Sequence, residues 1–524
     1  MVIAASLSIV PFGTRRDPLV ELDRELGSPQ VKYLRCYLHD LGARTVVVEP
    51  HYFDRDYLAE FVAFYATSTV GYPNVCQRLH FFDRRVTRGM LERAAGGDAV
   101  AQQVLQAAYL GHIVRRPLPD APIGRTVLRS YPDHLGIAQG TPRVMSPARD
   151  YEAHVAGLTW RVHGLAWQQQ ESAVGACATV ALWSMLHASA FDDHHAIPTT
   201  AEITLAAQRG VPSGSRIFPA VDGLRIEQML EVIKAQGLAP VVIPGDDADG
   251  FEHDRFCTLI GAFLRSGYPV LINGKLDDQE RSGHAVCLVG FRSPALPVIA
   301  DGDVEHADRT IDVVYVHDDN LGPNARFRVE AFESNGQAFV QLRGEAPRPT
   351  HGPLPTENPT VTYHPIIPTE IVVAVHPELR TAPEHLQRVA IKYAGWLPEI
   401  LDHESSRQRH RQSSGMVVSS RFIPWVEYVE RELGSALKNR PAALARARLG
   451  LWEAVPPMSL HVGLVRVSLG LQPMLDILFD TSDSDRHLCP AAHVVFHAQV
   501  AWLRRRWAAL AGESIELGVQ VRAW

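Results

Sequence analysis

Gln168-Gln-Gln-Glu-Ser-Ala-Val-Gly-Ala-Cys177-Ala-Thr-Val-Ala-Leu-Trp-Ser-Met-Leu186 reads as a glutamine-bearing loop ending in Gly175, then a cysteine, then an almost wholly apolar helix. A helix that is apolar all round belongs in a core. A thiol in its first turn feels the partial positive charge of the helix end, which favours the nucleophilic thiolate. A glutamine amide just upstream can donate a hydrogen bond to an oxyanion formed beside that sulfur. The rest of the chain has to supply a base.

Downstream, residues 224–236 form an amphipathic helix that stops at Gly237 and runs into a strand at 239–243. Residues 256–265 repeat the scheme, stop at Gly267 and enter a strand at 268–273. Two further strand patterns follow, 283–291 and 311–317, separated by a stretch (292–310) rich in Pro, Asp and Gly that reads as an inserted surface loop. Histidine is the best proton acceptor near neutral pH, and His284, after Gly283 at the start of an apolar strand, is the best placed. A third group should accept from the other ring nitrogen. The end of the next strand offers His317-Asp318-Asp319-Asn320-Leu-Gly322-Pro323.

The order of glutamine, cysteine on a helix, glycine-histidine on a strand, and aspartate after the next strand resembles the papain-like cysteine peptidase superfamily. It is most similar to the bacterial double-glycine leader peptidases, the C39-like domains. The resemblance covers roughly residues 160–330 and rests on QQESAVGACATVAL, the helix-glycine-strand unit ending in YPVLI, and GHAVCLVGF followed by VYVHDDNLGP. It implies an α+β fold whose cysteine-bearing helix packs on an antiparallel sheet. It also implies a catalytic triad: Cys177 as nucleophile, His284 as general base and acid, and Asp318, four residues before Gly322, to orient His284. Gln170 would serve the oxyanion hole with the backbone N–H of Cys177. The family places that glutamine six residues before the cysteine, which is Glu171 here, so a one-residue insertion is invoked and Gln168 or Gln169 stays an alternative. Asp319 and Asn320 stay alternatives to Asp318. No metal or organic cofactor is implied. The reaction expected is hydrolysis of a peptide or isopeptide bond in a protein or peptide substrate.

Three regions are expected: an N-terminal α/β region at 1–150, the papain-like catalytic domain at 151–345, and a C-terminal α+β region at 361–524 beyond a Pro-rich stretch. A chain of 524 residues with 46% hydrophobic content is long enough for two to four domains. The N-terminal region carries a strand at 45–49, a helix at 55–66 and a strand at 109–118. The C-terminal one carries strands at 370–375 and 461–467, helices at 425–433 and 492–510, and a polar, Arg-rich stretch at 403–414. A net charge of −7 gives no electrostatic footprint for nucleic acid or an anionic membrane. Only five of the 51 basic residues are lysines, a bias read as that of a GC-rich, bacterial coding sequence. Six scattered cysteines suit a reducing compartment, and the first residues lack a basic segment before their apolar run. The expected location is the cytoplasm.

An acyltransferase or transglutaminase-type enzyme would use the same three groups, and a papain-like binding protein without activity would keep the fold. Intact Cys, His and Asp positions count against the latter. Cys257 and Cys287 sit in apolar patterns and read as core. Asp192-Asp193-His194-His195 has no regular ligand spacing and reads as a solvated loop. The stretch at 480–485 lacks the glycine and terminal glutamate of a calcium loop. Ile123-Gly-Arg-Thr126 could bind an anion, and a turn entering a strand explains it equally well.

Overall fold

The computed structural model describes residues 7–69, 71–130, 143–171, 177–189, 196–209, 223–247, 249–277, 282–294, 304–334, 336–345, 364–389, 416–455, 457–469, 472–482, 490–496 and 519–523. The Asp192–His195 stretch and residues 403–414 lie outside them. The fold is α+β: helices combine with sheets that are mainly antiparallel. The chain gathers into two compact units that interleave along the sequence. The first comprises Met1–Phe251, Gly267–Arg292 and Asp312–Val375, and the second Glu252–Ser266, Ser293–Ile311 and His376–Trp524.

The first unit opens with a five-stranded antiparallel sheet in sequence order, β1 (Ser8–Pro11), β2 (Thr45–Tyr52), β3 (Cys76–Phe82), β4 (Tyr109–Arg115) and β5 (Ile123–Leu128). Helices α1 (Pro18–Leu26) and α2 (Pro29–Asp40) fill the first connection. Each starts with proline behind a side-chain cap, Asp17 for α1 and Ser28 for α2, so the first orphan N–H groups are satisfied locally. Helix α3 (Arg55–Glu60) continues as a π-helical turn at Phe61–Tyr65, over the helical segment expected at 55–66. Helices α4 (Arg88–Ala95) and α5 (Ala99–Ala108) complete this part.

Strand β6 (Arg143–Val144) and the hairpin β7 (Arg149–Val155) and β8 (Leu158–Gly164) lead to α6 (Cys177–Ala188). Every residue of α6 from Ala178 to His187 is buried, as its apolar circumference requires. After α7 (Thr200–Ala206) and α8 (Ile226–Ala235) the chain alternates between β9 (Ala239–Pro244), α9 (His253–Arg265), β10 (Val270–Leu276), β11 (Gly283–Arg292), β12 (Val304–His306), β13 (Val313–Asp318), β14 (Gly322–Ser334), β15 (Gln337–Gly344) and β16 (Ile366–Val375). Both α8 and α9 end where the sequence places their stops. Gly237 and Gly267 take φ of 75° and 82°, left-handed values open to glycine.

Strands β10, β11, β13, β14, β15 and β16 pair antiparallel in that order, β10 also pairs with β16, and the ring closes. Strand β9 extends it beside β16. Helix α6 packs on β10, β11, β13 and β16. Trp183, Leu182, Met185 and Leu186 meet Leu271, Cys287, Val289, Tyr315 and Val372 in one core.

The second unit holds a six-stranded sheet in the order β12, Met416–Pro424, His461–Leu469, Gln472–Asp480, Pro490–Val495 and Val519–Arg522. Helix α9 packs on Met416–Pro424. Two expectations change here. Part of the stretch read as a surface loop (292–310) is β12, paired parallel with Met416–Pro424. The stretch from 492 read as a helix begins as the strand Pro490–Val495, held by neighbours on both sides; residues 497–518 lie outside the described residues. Among the described residues no helix is long and apolar enough to cross a membrane.

Within the first unit the segments before and after residue 150 share polar anchors. Arg116 donates through Nη1 to Glu60 Oε2 at 3.2 Å and through Nη2 to the Gln169 carbonyl at 3.1 Å, and Thr200 donates to the other Glu60 oxygen. The Arg116 and Glu60 side chains are 2% and 3% exposed. Removing one partner of such a pair leaves a buried charge alone. Arg116→Met is therefore expected to lower unfolding stability in urea by about 3–5 kcal/mol. A loss below about 1 kcal/mol, the scale of an exposed pair, would contradict this.

Candidate active site

Cys177 is the first residue of α6, so the buried helix behind it fixes where the thiol starts. It is half-buried, whereas Cys76, Cys257 and Cys287 are fully buried. For Cys257 and Cys287, burial above all pushes the thiol pKa far up, which makes them inert core residues.

His284 is the second residue of β11, opposite Gly274 of β10, and Asp318 is the last of β13. The imidazole Nε2 lies 3.2 Å from Asp318 Oδ1 and 4.0 Å from Asp319 Oδ1. Burial works against a charge on His284 and is the largest single influence. Asp318, through its charge and its hydrogen bond, then Cys177 and then Asp319 outweigh it, and the His284 pKa lies well above its ordinary value. Cys177, which opens α6, is close enough to the imidazole to raise its pKa. With Nε2 engaged by Asp318, Nδ1 is the nitrogen left to the thiol.

The three acidic-end candidates separate by geometry. Asp318 makes the short contact and is held in place: its Oδ1 accepts from Asn320 N at 2.9 Å, and its carbonyl accepts from Trp167 Nε1 at 3.0 Å. Asn320 contributes only that backbone N–H, and its side chain is exposed. Asp319 is buried behind the pair, and its Oδ2 has no hydrogen-bond partner among the described residues. Burial first, and then the Asp318 charge, push its pKa up to about 7. His284, Asp318 and Asp319 could also converge on a metal ion, since their ligand atoms lie within 4.8 Å of one another. Ligating through Nε2 would require the imidazole to give up the proton this surrounding favours.

The glutamine run divides as well. Gln169 is committed to structure: its N–H donates to the Ile123 carbonyl, its carbonyl accepts from Arg116 Nη2, and its Oε1 accepts from Ile123 N at 3.3 Å. Gln168 is buried. Glu171, six residues before Cys177, lies beside the buried phenol of Tyr65 and helps to raise its pKa, second to burial. Gln170 is half-buried, and its side chain has no hydrogen bond to a described residue. Residues 172–176, which join it to Cys177, lie outside the described residues. The structure thus brings His284 and Asp318 together with Cys177 nearby.

Two supporting residues carry no sequence signal. Trp167 reaches Asp318 from the strand-like segment paired with Thr126. His317 is neutral, its pKa lowered to about 4 by burial. It donates from Nε2 to Leu165 O at 3.1 Å and accepts at Nδ1 from Asn324 N at 3.1 Å, pinning both ends of the turn. A histidine beside an aspartate on an apolar strand gives no hint of that role.

No family model matches the chain, and no curated protein matches it at a significant level.

The two shifted groups act in the same direction. At His284 and Asp319 the folded protein binds the proton more tightly than the unfolded chain, so each contribution to stability declines as pH rises. That of His284 is complete below its unfolded value and is lost as pH passes the raised folded one. That of Asp319 declines between the ordinary carboxylate range and about 7. Asp319→Asn removes the second term. It is expected to be more stable than wild type at pH 8, by an advantage that grows from pH 4 to 7 by up to ~1.4 kcal/mol per pH unit. Urea denaturation across that range measures it; an advantage equal at pH 4 and pH 8 would contradict the assignment.

Proposed function

We propose that this protein is a papain-like cysteine peptidase that cleaves a peptide or isopeptide bond through a thioester. The observation that carries the reading is His284, held at Nε2 by Asp318 and raised in pKa by the nearby thiol that opens a buried helix. The packing of α6 on the closed antiparallel ring supports a papain-like core.

In the first step the Cys177 proton rests on His284, whose raised pKa favours the cation, and the thiolate Sγ attacks the carbonyl carbon. The oxyanion is met by the Cys177 N–H and, in this reading, by the Gln170 amide. As the C–N bond breaks, His284 returns the proton to the departing amine, leaving the acyl group on sulfur. Water then attacks the thioester and gives a proton to His284. The acid leaves and the thiol is restored. Asp318 keeps the imidazole oriented throughout and stabilises its cationic form. A substrate inside the cell, and therefore a cytoplasmic setting, fits a thiol that works reduced.

A thiol-directed alkylator at neutral pH should modify Cys177 faster than any other cysteine, and His284→Ala should slow that reaction. On an amide substrate the wild type cleaves, His284→Ala is expected to lower kcat by about 10²–10⁴-fold, and Gln170→Ala by about 10²-fold. Added amines that divert the product from acid to amide would mark an acyltransferase instead. Equal labelling of all six cysteines, read by peptide mass spectrometry, would end the proposal.

A further inference from the structure

The turn that carries the acid is gripped from outside the central sheet by α2, some 290 residues away in sequence. Gln30, Tyr33 and Tyr37 are spaced three and four apart, which puts them on one face of α2. Gln30 Nε2 donates to the Asp319 carbonyl at 3.1 Å. Tyr33 Oη donates to the Pro323 carbonyl at 2.7 Å. Tyr37 Oη accepts from Asn324 Nδ2 at 2.9 Å and donates to Arg129 O at 2.7 Å. The Tyr33 ring also packs against Gly322: a Cβ there would stand 2.1 Å from Tyr33 Cδ1, so only glycine admits this approach. Both tyrosines are buried.

These contacts bracket Asp318. Its own carbonyl is taken by Trp167 and by Leu321 N, but the turn beyond it, residues 319 to 323, pairs with β13 only through Asp318 and Gly322. The carbonyls of 319 and 323 find their side-chain donors on α2. The 3.2 Å contact from Asp318 to His284 therefore depends on where α2 sits.

We propose that α2 is a positioning element of the catalytic site, and that Gln30 and Tyr33 are its positioning residues, setting the Asp318 carboxylate against His284. This rests on the peptidase reading above and adds that the N-terminal part of the chain completes the site. A helix serving only as scaffold would be indifferent to which of its side chains reach the turn.

The test uses the full chain carrying Gln30→Ala with Tyr33→Phe, which removes both donors and leaves the ring over Gly322. Val31→Ala, a buried α2 position away from the turn-facing side chains, is the comparison for lost stability. Alkylation of Cys177 is followed peptide by peptide across pH 4 to 9, with thermal unfolding measured alongside. His284 is faced by Asp318, Asp319 and Cys177, so the limb it contributes shifts toward lower pH when Asp318 loosens. The double variant is expected to show that shift and, on an amide substrate, a kcat lowered by about ten- to a hundredfold with KM little changed. Val31→Ala should lose stability and keep the wild-type limb. If the double variant loses only stability and keeps the limb, α2 is scaffold and the proposal is overturned. If the wild type shows no His284 limb at Cys177 at all, the peptidase reading itself fails, and the proposal with it.

Discussion

A histidine buried beside two adjacent aspartates, both on its Nε2 side, is the constraint on which the site is built. Taking charged groups out of water is unfavourable by several kcal/mol each unless geometry and hydrogen bonds offset it. At His284 the offset comes from Asp318 at 3.2 Å, with Asp319 4.0 Å away on the same side. Asp318 in turn takes a backbone N–H from Asn320. Asp319 has no such support at Oδ2 and meets burial by holding a proton instead. Two adjacent acids thus have different work: one orients and charges the imidazole, the other tolerates its place.

That arrangement needs a turn that does not drift, and the surroundings of 317–324 supply one. Trp167 and His317 tie it to the segment that leads to the cysteine helix, and α2 ties it to the start of the chain. The glutamine loop is fastened from the same side by Arg116. The N-terminal strands and helices and the antiparallel ring therefore fall in one compact unit, and it is the interleaved pieces at Glu252–Ser266 and Ser293–Ile311 that belong with the C-terminal part. Composition and turn signals mark changes of texture along a chain. They say nothing about which buried ion pairs cross those changes.

Much of the site was legible because its signals are local. An apolar run behind Cys177 specifies a buried helix, and Gly-His followed by seven apolar or small residues specifies a strand start. A strand ending in His-Asp-Asp-Asn before Gly-Pro specifies a turn rich in acceptors. The helix stops at Gly237 and Gly267 were equally plain, because left-handed backbone favours glycine. What escaped is non-local. Gln30, Tyr33 and Arg116 look like ordinary residues of a helix and a strand end, and their partners lie 289, 290 and 53 residues away. Closure of the ring by β10 and β16 has no signature in either strand. The misread stretch from 492 is a short apolar run, for which periodicity does not separate helix from strand; pairing decides it.

In the proposed site Asp318 keeps a proton on the Nε2 side of His284 and leaves Nδ1 to Cys177. Nitrogen-15 NMR of the His284 imidazole, followed from pH 5 to 9 in the wild type and in Asp318→Asn, measures this directly. Nε2 is expected to stay protonated throughout, Nδ1 to titrate above the ordinary histidine value of about 6.5, and Asp318→Asn to bring this titration down. A His284 that titrates below that value in the wild type, or a neutral ring with its proton on Nδ1, would contradict it.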